Sequence, residues 1–234
     1  MSLLPIFYEP ALPANESFIL SENTSKHIVQ VLRMKDDDKI HLTNGKGELL
    51  VVQITKAHKR FTEVTVNSRS LKEVSESKIT IGISLIKNPG RFEWFLEKAT
   101  EIGIYSIIPL LCTRTEKKEF RYDRMNSILI TAMLQSQQTW LPTLHQPTKF
   151  QDVVTSFLST EKYIAHCNEG NKMLLQALTN NSSKIILIGP EGDFSKEEID
   201  MATKNNYVSV SLGDTRLRTE TAGILAAAFS KNYL

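Results

Sequence analysis

The chain has 234 residues, 41% hydrophobic and 23% charged, which suits one large or two small globular domains of a soluble protein. A net charge of only +2 excludes a strongly basic nucleic-acid binder, so any RNA contact has to come from a local patch. Cys112 and Cys167, the only cysteines, form neither a CxxC pair nor a zinc spacing, no apolar run reaches the length of a membrane span, and MSLLPIFYEP lacks a basic leader, so the expectation is a cytoplasmic protein with reduced thiols, no metal and no membrane partner.

In chain order, residues 1–70 read mainly as short strands. Phe18–Leu20, Lys39–Thr43, Glu48–Thr55 and Phe61–Ser68 are β-rich runs, and Asn44-Gly45 marks a hairpin turn between the second and third. One helix interrupts them in SENTSKHIVQVLR, with Ser21, Asn23 or Thr24 as N-cap and Ile28, Val31 and Leu32 on one face. The pattern predicts a small, partly closed β-barrel domain over 1–70. LKEVSESK (Leu71–Lys78) is polar and aperiodic, which places a linker at 71–77.

Over 78–234 the rhythm becomes β–α alternation. Strands are expected at Ile79–Ile86, Tyr105–Leu111, Tyr163–Cys167, Lys184–Gly189 and Tyr207–Gly213. Helices are expected at Gly90–Gly103, with Gly103 as its stop, at Arg121–Trp140, Met173–Leu178 and Ser195–Lys204, and at Thr219–Lys231. Buried apolar strands between amphipathic helices make an α/β domain with a mostly parallel sheet, whose ligands sit beyond the strand carboxyl ends.

Three strand ends carry suggestive loops. His166, Asn168 and Glu169 follow the first. Gly189-Pro190-Glu191-Gly192 follows the second, with Ser195 and Glu198 spaced as a capping box. SLGDTRLRTETAG ends the third. A GPEG turn is either a ligand loop or simply a tight strand–helix connection, and it matches no dinucleotide or Walker fingerprint. Thr219 reads as an N-cap with Glu220 in the first turn. Ala222, Gly223, Ala226 and Ala227 leave one helix face bare, which either packs tightly or lets another backbone segment pass close.

Taken together, Ile186–Ser195 (ILIGPEGDFS) and Leu212–Ala222 (LGDTRLRTETA) resemble the RsmE family of ribosomal RNA methyltransferases, within the SPOUT superfamily. Glu97–Gly103, Ile107-Ile108-Pro109, Arg114 and the run His27-Ile28 with Val31-Leu32-Arg33 look like further motifs of that family, so the resemblance spans nearly the whole chain. It implies a PUA-like RNA-binding barrel before a C-terminal α/β domain knotted as a trefoil. It implies methyl transfer from S-adenosyl-L-methionine to N3 of one uridine in the decoding region of 16S rRNA, by a homodimer. The cofactor site would comprise His166, Leu187, Ile188, Gly189, Pro190, Glu191, Gly192, Leu212, Gly213, Leu217, Arg218, Thr221 and Ala222. For the chemistry, Arg218 or Arg114 is the candidate to stabilise charge developing on uracil O2 or O4, and Glu220 either orients that arginine, accepts the proton or only serves the helix dipole; Lys26, His27, Arg33, Lys56, Lys59 and Arg60 are either phosphate contacts or solvated surface charges. The chain departs from the family pattern at Leu134 and Gln138, where Glu and Arg are usual, at Thr215, where Arg is usual, and at Asp193, where Gly is common. Other readings are a SPOUT enzyme with another RNA target, or a non-catalytic RNA-binding assembly factor.

Overall fold

The computed structural model describes residues 4–117, 119–158, 161–168, 172–178 and 182–231. The chain divides into two compact units, Met1–Val74 with Met133–Leu141, and Ser75–Ala132 with Pro142–Leu234.

The first unit holds strands β1 (Ile6–Tyr8), β2 (Ser17–Ile19), β3 (Lys39–Thr43), β4 (Glu48–Lys56) and β5 (Glu63–Leu71). They form a five-stranded half-barrel sheet in the order β1-β3-β4-β5-β2. Alternation sets its inner face. Ile40 and Leu42 of β3, Leu50, Val52 and Ile54 of β4, and Val64 of β5 are fully buried with Ile28. Register shifts between Val51 and Val52 and between Ile54 and Lys56 bend the strands. The helical segment splits into α1 (Glu22–Lys26) and a π-turn at His27–Val31, and Ser21 is the N-cap, accepting from the Thr24 N–H. β1 was not expected from the sequence; it pairs parallel with β3.

The Asn44-Gly45 turn joins β3 to β4, as a four-residue link in which Gly45 and Gly47 take positive φ, 69° and 90°. This corner is covered from far along the chain. The Gly47 N–H donates to Thr139 C=O at 2.9 Å, the Leu141 N–H to Gly45 C=O at 2.9 Å, and the Trp140 indole N–H to Lys72 C=O at 3.0 Å. A Cβ on Gly47 would lie 2.6 Å from the Trp140 ring. Hence the helix expected to run to Trp140 stops early. Gln137 turns left-handed (φ 57°) and the Gln138 N–H returns to Met133 C=O.

The second unit comprises β6 (Ile79–Ser84), α2 (Pro89–Ile102), β7 (Ser106–Leu111), most of α3 (Tyr122–Gln135), β8 (Thr143–Leu144), β9 (Thr148–Lys149) and α4 (Phe150–Ser156). It continues through β10 (Glu161–Ala165), β11 (Met173–Leu174), a 3-10 turn at Leu175–Leu178, β12 (Lys184–Ile188), α5 (Lys196–Lys204), β13 (Val208–Ser211) and α6 (Thr219–Ser230). Met173–Leu178, expected as one helix, is thus a short strand followed by the 3-10 turn. The sheet runs β11-β13-β10-β12-β6-β7-β8, with β9 also on β7, and every pair is parallel.

Both faces are covered, which is why β6 and β12 are buried along their whole length. On one face α4 and α5 pack over Leu110, Ile164, Ile185 and Leu187. On the other, α6 lies against α2 and β6. α2 is well specified. Asn88 caps it through the Gly90 N–H, Pro89 sits in its first turn, Gly103 (φ 84°) stops it, and Phe92, Phe95, Leu96 and Ala99 form its buried face. The bare face of α6 meets these side chains. A Cβ on Gly223 would lie 2.7 Å from the Phe95 ring and 2.9 Å from Ile83 Cδ1. Among the described residues no helix is long and apolar enough to cross a membrane.

Candidate active site

Parallel register brings three strand ends side by side. Ala165 of β10 pairs with Ile188 of β12 on one side and with Val210 of β13 on the other. The residues that follow, His166, Gly189 and Ser211, therefore lie at one level at the strand ends and line a common cavity of about 600 Å³. The strand order reverses around β10, the situation in which α/β sheets hold ligands.

Of the sequence-derived cofactor residues, His166, Ile188, Gly189, Pro190, Glu191, Leu212, Gly213, Leu217, Arg218 and Ala222 line this cavity. Leu187, Gly192 and Thr221 do not; Leu187 is wholly buried under α4 and α5. Glu169 lies outside the described residues. Ala165, Cys167, Lys172, Asp193, Val210, Ser211, Asp214, Thr215, Arg216 and Thr219 also line it. Sequence reasoning did not place these in the pocket, although Asp193 and Thr215 stood out as departures from the family pattern.

The glycines serve different ends. The Cβ position of Gly189 is taken up by Phe194, whose N and ring lie 3.1 Å away, so this glycine lets Phe194 fold back beneath the loop. Gly213 has φ 132° with nothing among the described residues within 4 Å of its Cβ position, leaving its backbone open. His166 is held by Ser209 Oγ, 3.0 Å from Nε2, while its buried Nδ1 has no partner among the described residues. Burial, and then the nearby Lys172 ammonium, lower its pKa from the ordinary imidazole value, with Asp193 opposing.

The residues given catalytic roles are placed apart. Arg218 lines the cavity and is the N-cap of α6, one residue earlier than expected, so Thr219 is the first helical residue. The Arg114 guanidinium donates to Gly192 C=O at 2.6 Å, and the arginine stem runs alongside Gly192, 3.4 Å from where a Cβ would stand. Glu220 is buried, with Oε1 3.6 Å from Arg91 Nε of α2 and no partner for Oε2 among the described residues. Arg91 was not singled out from the sequence. The expected capping box forms at Ser195, and Glu198 does more than cap. Its Oε2 accepts from the Ser195 N–H and its Oε1 from the Thr113 N–H, both at 2.8 Å, which ties the β7 loop carrying Arg114 to the start of α5.

The RNA methyltransferase domain family matches residues 73–231, and the RNA methyltransferase PUA domain family matches residues 20–67. A ribosomal RNA small subunit methyltransferase E from Rickettsia conorii is 30% identical over 95% of this chain and 93% of its own. The chain belongs to this family of rRNA methyltransferases.

Among solved structures, a probable rRNA-methyltransferase from Porphyromonas gingivalis superposes with a TM-score of 0.90 at 31% identity, covering 99% of this chain and 100% of that one. The ribosomal RNA small subunit methyltransferase E of Neisseria gonorrhoeae, bound to S-adenosyl methionine, superposes with a TM-score of 0.88 at 26% identity and 98% coverage of both. In the PUA-like unit of this methyltransferase, the basic candidates are exposed. Lys56, Lys59 and Arg60 fall on and beside the β4–β5 loop, and Ser25 Oγ accepts from the Thr62 N–H, tying α1 and its Lys26 to that loop. Lys56 and Arg60 have loose carboxylate neighbours, Glu63 at 3.5 Å and Glu22 at 3.9 Å. His27 meets the Phe7 ring edge-on at 5.6 Å, and Arg33 takes a positive φ of 56°. The same loop holds a pair that the sequence did not flag: His58 and Phe61 stack 3.5 Å apart, and Phe61 remains 39% exposed.

Proposed function

We propose that this chain methylates N3 of uracil 1498 in 16S rRNA, using S-adenosylmethionine bound in the cavity at the ends of β10, β12 and β13. That cavity, in a member of an rRNA methyltransferase family, carries the reading. Its residues fit such a cofactor. The volume is that of a small-molecule site, the Gly213 backbone is open, and His166 presents a buried ring nitrogen without a partner among the described residues. When bound, the cofactor supplies a methyl group on an electrophilic sulfonium. The loop residues His166, Gly189, Leu212, Gly213 and Leu217 would hold it.

The chain's own task is to orient the uracil and manage the N3 proton, since N3–H is weakly acidic. Arg218, at the cavity edge, stabilises negative charge developing on O2 or O4. Arg114 is committed to Gly192 and shapes the GPEG loop. Glu220 does not line the cavity, but it sits in the first turn of α6 just after Arg218, fixed through one oxygen by Arg91 and with the other unpartnered among the described residues, so its role is to orient Arg218 or to accept the proton once substrate is bound. Lys26, His27, Arg33, Lys56, Lys59 and Arg60 supply phosphate contacts, and the exposed Phe61 ring, backed by the half-buried His58, suits an unpaired base. The same reading carries a cytoplasmic homodimer and a knotted C-terminal domain. Support for the knot is the return of α6, after the outlying β13, to the β6–α2 side of the sheet.

The test is incubation with labelled S-adenosylmethionine and small ribosomal subunits from cells lacking the modification, followed by nucleoside analysis. Label in 3-methyluridine from the decoding region is expected, and Glu220→Gln is expected to lose turnover while keeping cofactor affinity. Label in another nucleoside would overturn the target assignment.

A further inference from the structure

Asp193 is a non-glycine residue in the left-handed region, φ 64°, where an L side chain is uncommon and Asp or Asn is the better tolerated choice. Its N–H closes the GPEG turn on Pro190 C=O at 2.9 Å. Its carboxylate then accepts two backbone N–H groups. Oδ1 takes that of Phe194 and Oδ2 that of Cys167, each at 2.8 Å. Phe194 belongs to the loop after β12, and Cys167 directly follows His166 in the loop after β10. Asp193, Cys167 and His166 all line the cavity. One side chain thus bridges two walls of the pocket through charge-assisted hydrogen bonds. Glycine at this position would satisfy the backbone but leave the β10 loop without that tie.

We infer that Asp193 is a positioning residue of the cofactor pocket, an anionic staple that holds Cys167, and with it His166, at a fixed distance from the GPEG loop before the cofactor arrives. The inference rests on the proposed cofactor reading for its ligand and on the hydrogen bonds for its geometry. A pre-set wall removes the ordering cost that a loose loop would add to binding. The staple acts through the two backbone N–H groups that its oxygens hold, and comparison of a charged with an uncharged ligand separates that role from any effect of the carboxylate's charge on the sulfonium.

The test compares wild type with Asp193→Gly, which keeps the backbone conformation and deletes the staple, and Asp193→Asn, which tolerates the same φ but keeps only one acceptor oxygen. Amide hydrogen exchange at Cys167, measured without cofactor, is expected to quicken by about tenfold or more in the Gly variant, since a lost hydrogen bond exposes that amide. Dissociation constants for S-adenosylmethionine and for uncharged S-adenosylhomocysteine are expected to rise by the same factor, about tenfold, with the Asn variant between. In turnover the KM for cofactor rises while kcat holds. Unchanged Cys167 exchange in both variants overturns the staple, and a loss confined to the charged cofactor overturns the geometric role. If wild type binds neither ligand, the cofactor reading fails instead, while the exchange result still decides whether the loops are tied.

Discussion

Replacing Glu198 tests how far one side chain organises the rim of the active site. The residue is 6% exposed, and its carboxylate accepts the Ser195 and Thr113 N–H groups, one on each oxygen. Hydrogen bonds to a charged group contribute about 1.5–3 kcal/mol each, and a buried donor left alone costs about 1–3 kcal/mol. Glu198→Ala frees both donors, with water able to reach part of the gap, so a loss of about 3–4 kcal/mol is expected. Glu198→Gln is nearly isosteric but turns an NH₂ group toward one of the two N–H donors. It keeps one bond and sets donor against donor, for a loss of about 2 kcal/mol. Ser195→Ala removes only the cap to the Glu198 N–H, a 3.2 Å contact, and should cost about 1 kcal/mol. Urea unfolding followed by circular dichroism gives the ranking, and thermal midpoints should fall by about 2–4 °C per kcal/mol for a chain of this size. A Gln variant within 0.5 kcal/mol of wild type, or a Ser195 variant worse than either Glu198 variant, would refute the double-acceptor account (a threshold set by the usual scatter of about 0.5 kcal/mol among surface substitutions).

Three further outcomes are expected. Gly223→Ala gains about 1 kcal/mol of helix propensity but drives a Cβ into Phe95 and Ile83, an overpacking cost of about 2 kcal/mol, so a net loss of about 1 kcal/mol is expected in the same unfolding assay; a more stable variant would show that α6 has slack. A thiol reagent on the native protein should modify one cysteine quickly, because Cys167 is exposed whereas burial, aided by Glu198, pushes the Cys112 thiol up to about 12. Two fast thiols would contradict that burial, and S-adenosylmethionine should slow the reaction at Cys167. Finally, burial lowers the pKa of His41, His145 and His166. Protons then favour the unfolded chain, so their contribution to stability is complete above the ordinary imidazole value of about 6.5 and is lost as pH falls through the lowered values. Urea midpoints should be level between pH 7 and 8 and decline below pH 6.5; a midpoint that climbs between pH 7 and 5.5 would count against it.

Local chemistry was legible in the sequence. Gly103 stops α2, Asn44-Gly45 turns β3 into β4, and the Ser195–Glu198 capping box forms. Each depends on residues within a few positions, where spacing and backbone preference decide. Contacts across long sequence separations were not legible. The second acceptor role of the capping glutamate, toward Thr113, spans 85 positions. The Asp193–Cys167 tie spans 26, and the partner of Glu220 proved to be Arg91, on another helix. β1 escaped notice because three residues show no period of their own, and it exists through its pairing with β3. The pocket followed from strand ends that parallel register aligns. Its lining by Lys172 and Arg216 depends on loop paths that no period encodes.

During synthesis the N-terminal half-barrel leaves the ribosome first, yet its Gly45–Gly47 corner waits for Thr139, Trp140 and Leu141. Leu141 follows Val74, the last residue of the leading stretch, by 141 − 74 = 67 residues. At about 5–20 residues per second that interval lasts about 3–13 s. Throughout it, the Gly47 N–H, the Gly45 C=O and the Lys72 C=O lack the partners they have in the finished fold, and an open backbone edge of this kind invites pairing with other chains. A nascent chain stalled near residue 100 therefore carries all five strands with one corner uncovered. Changes at Thr139–Leu141 act on the maturation of a unit encoded well upstream of them.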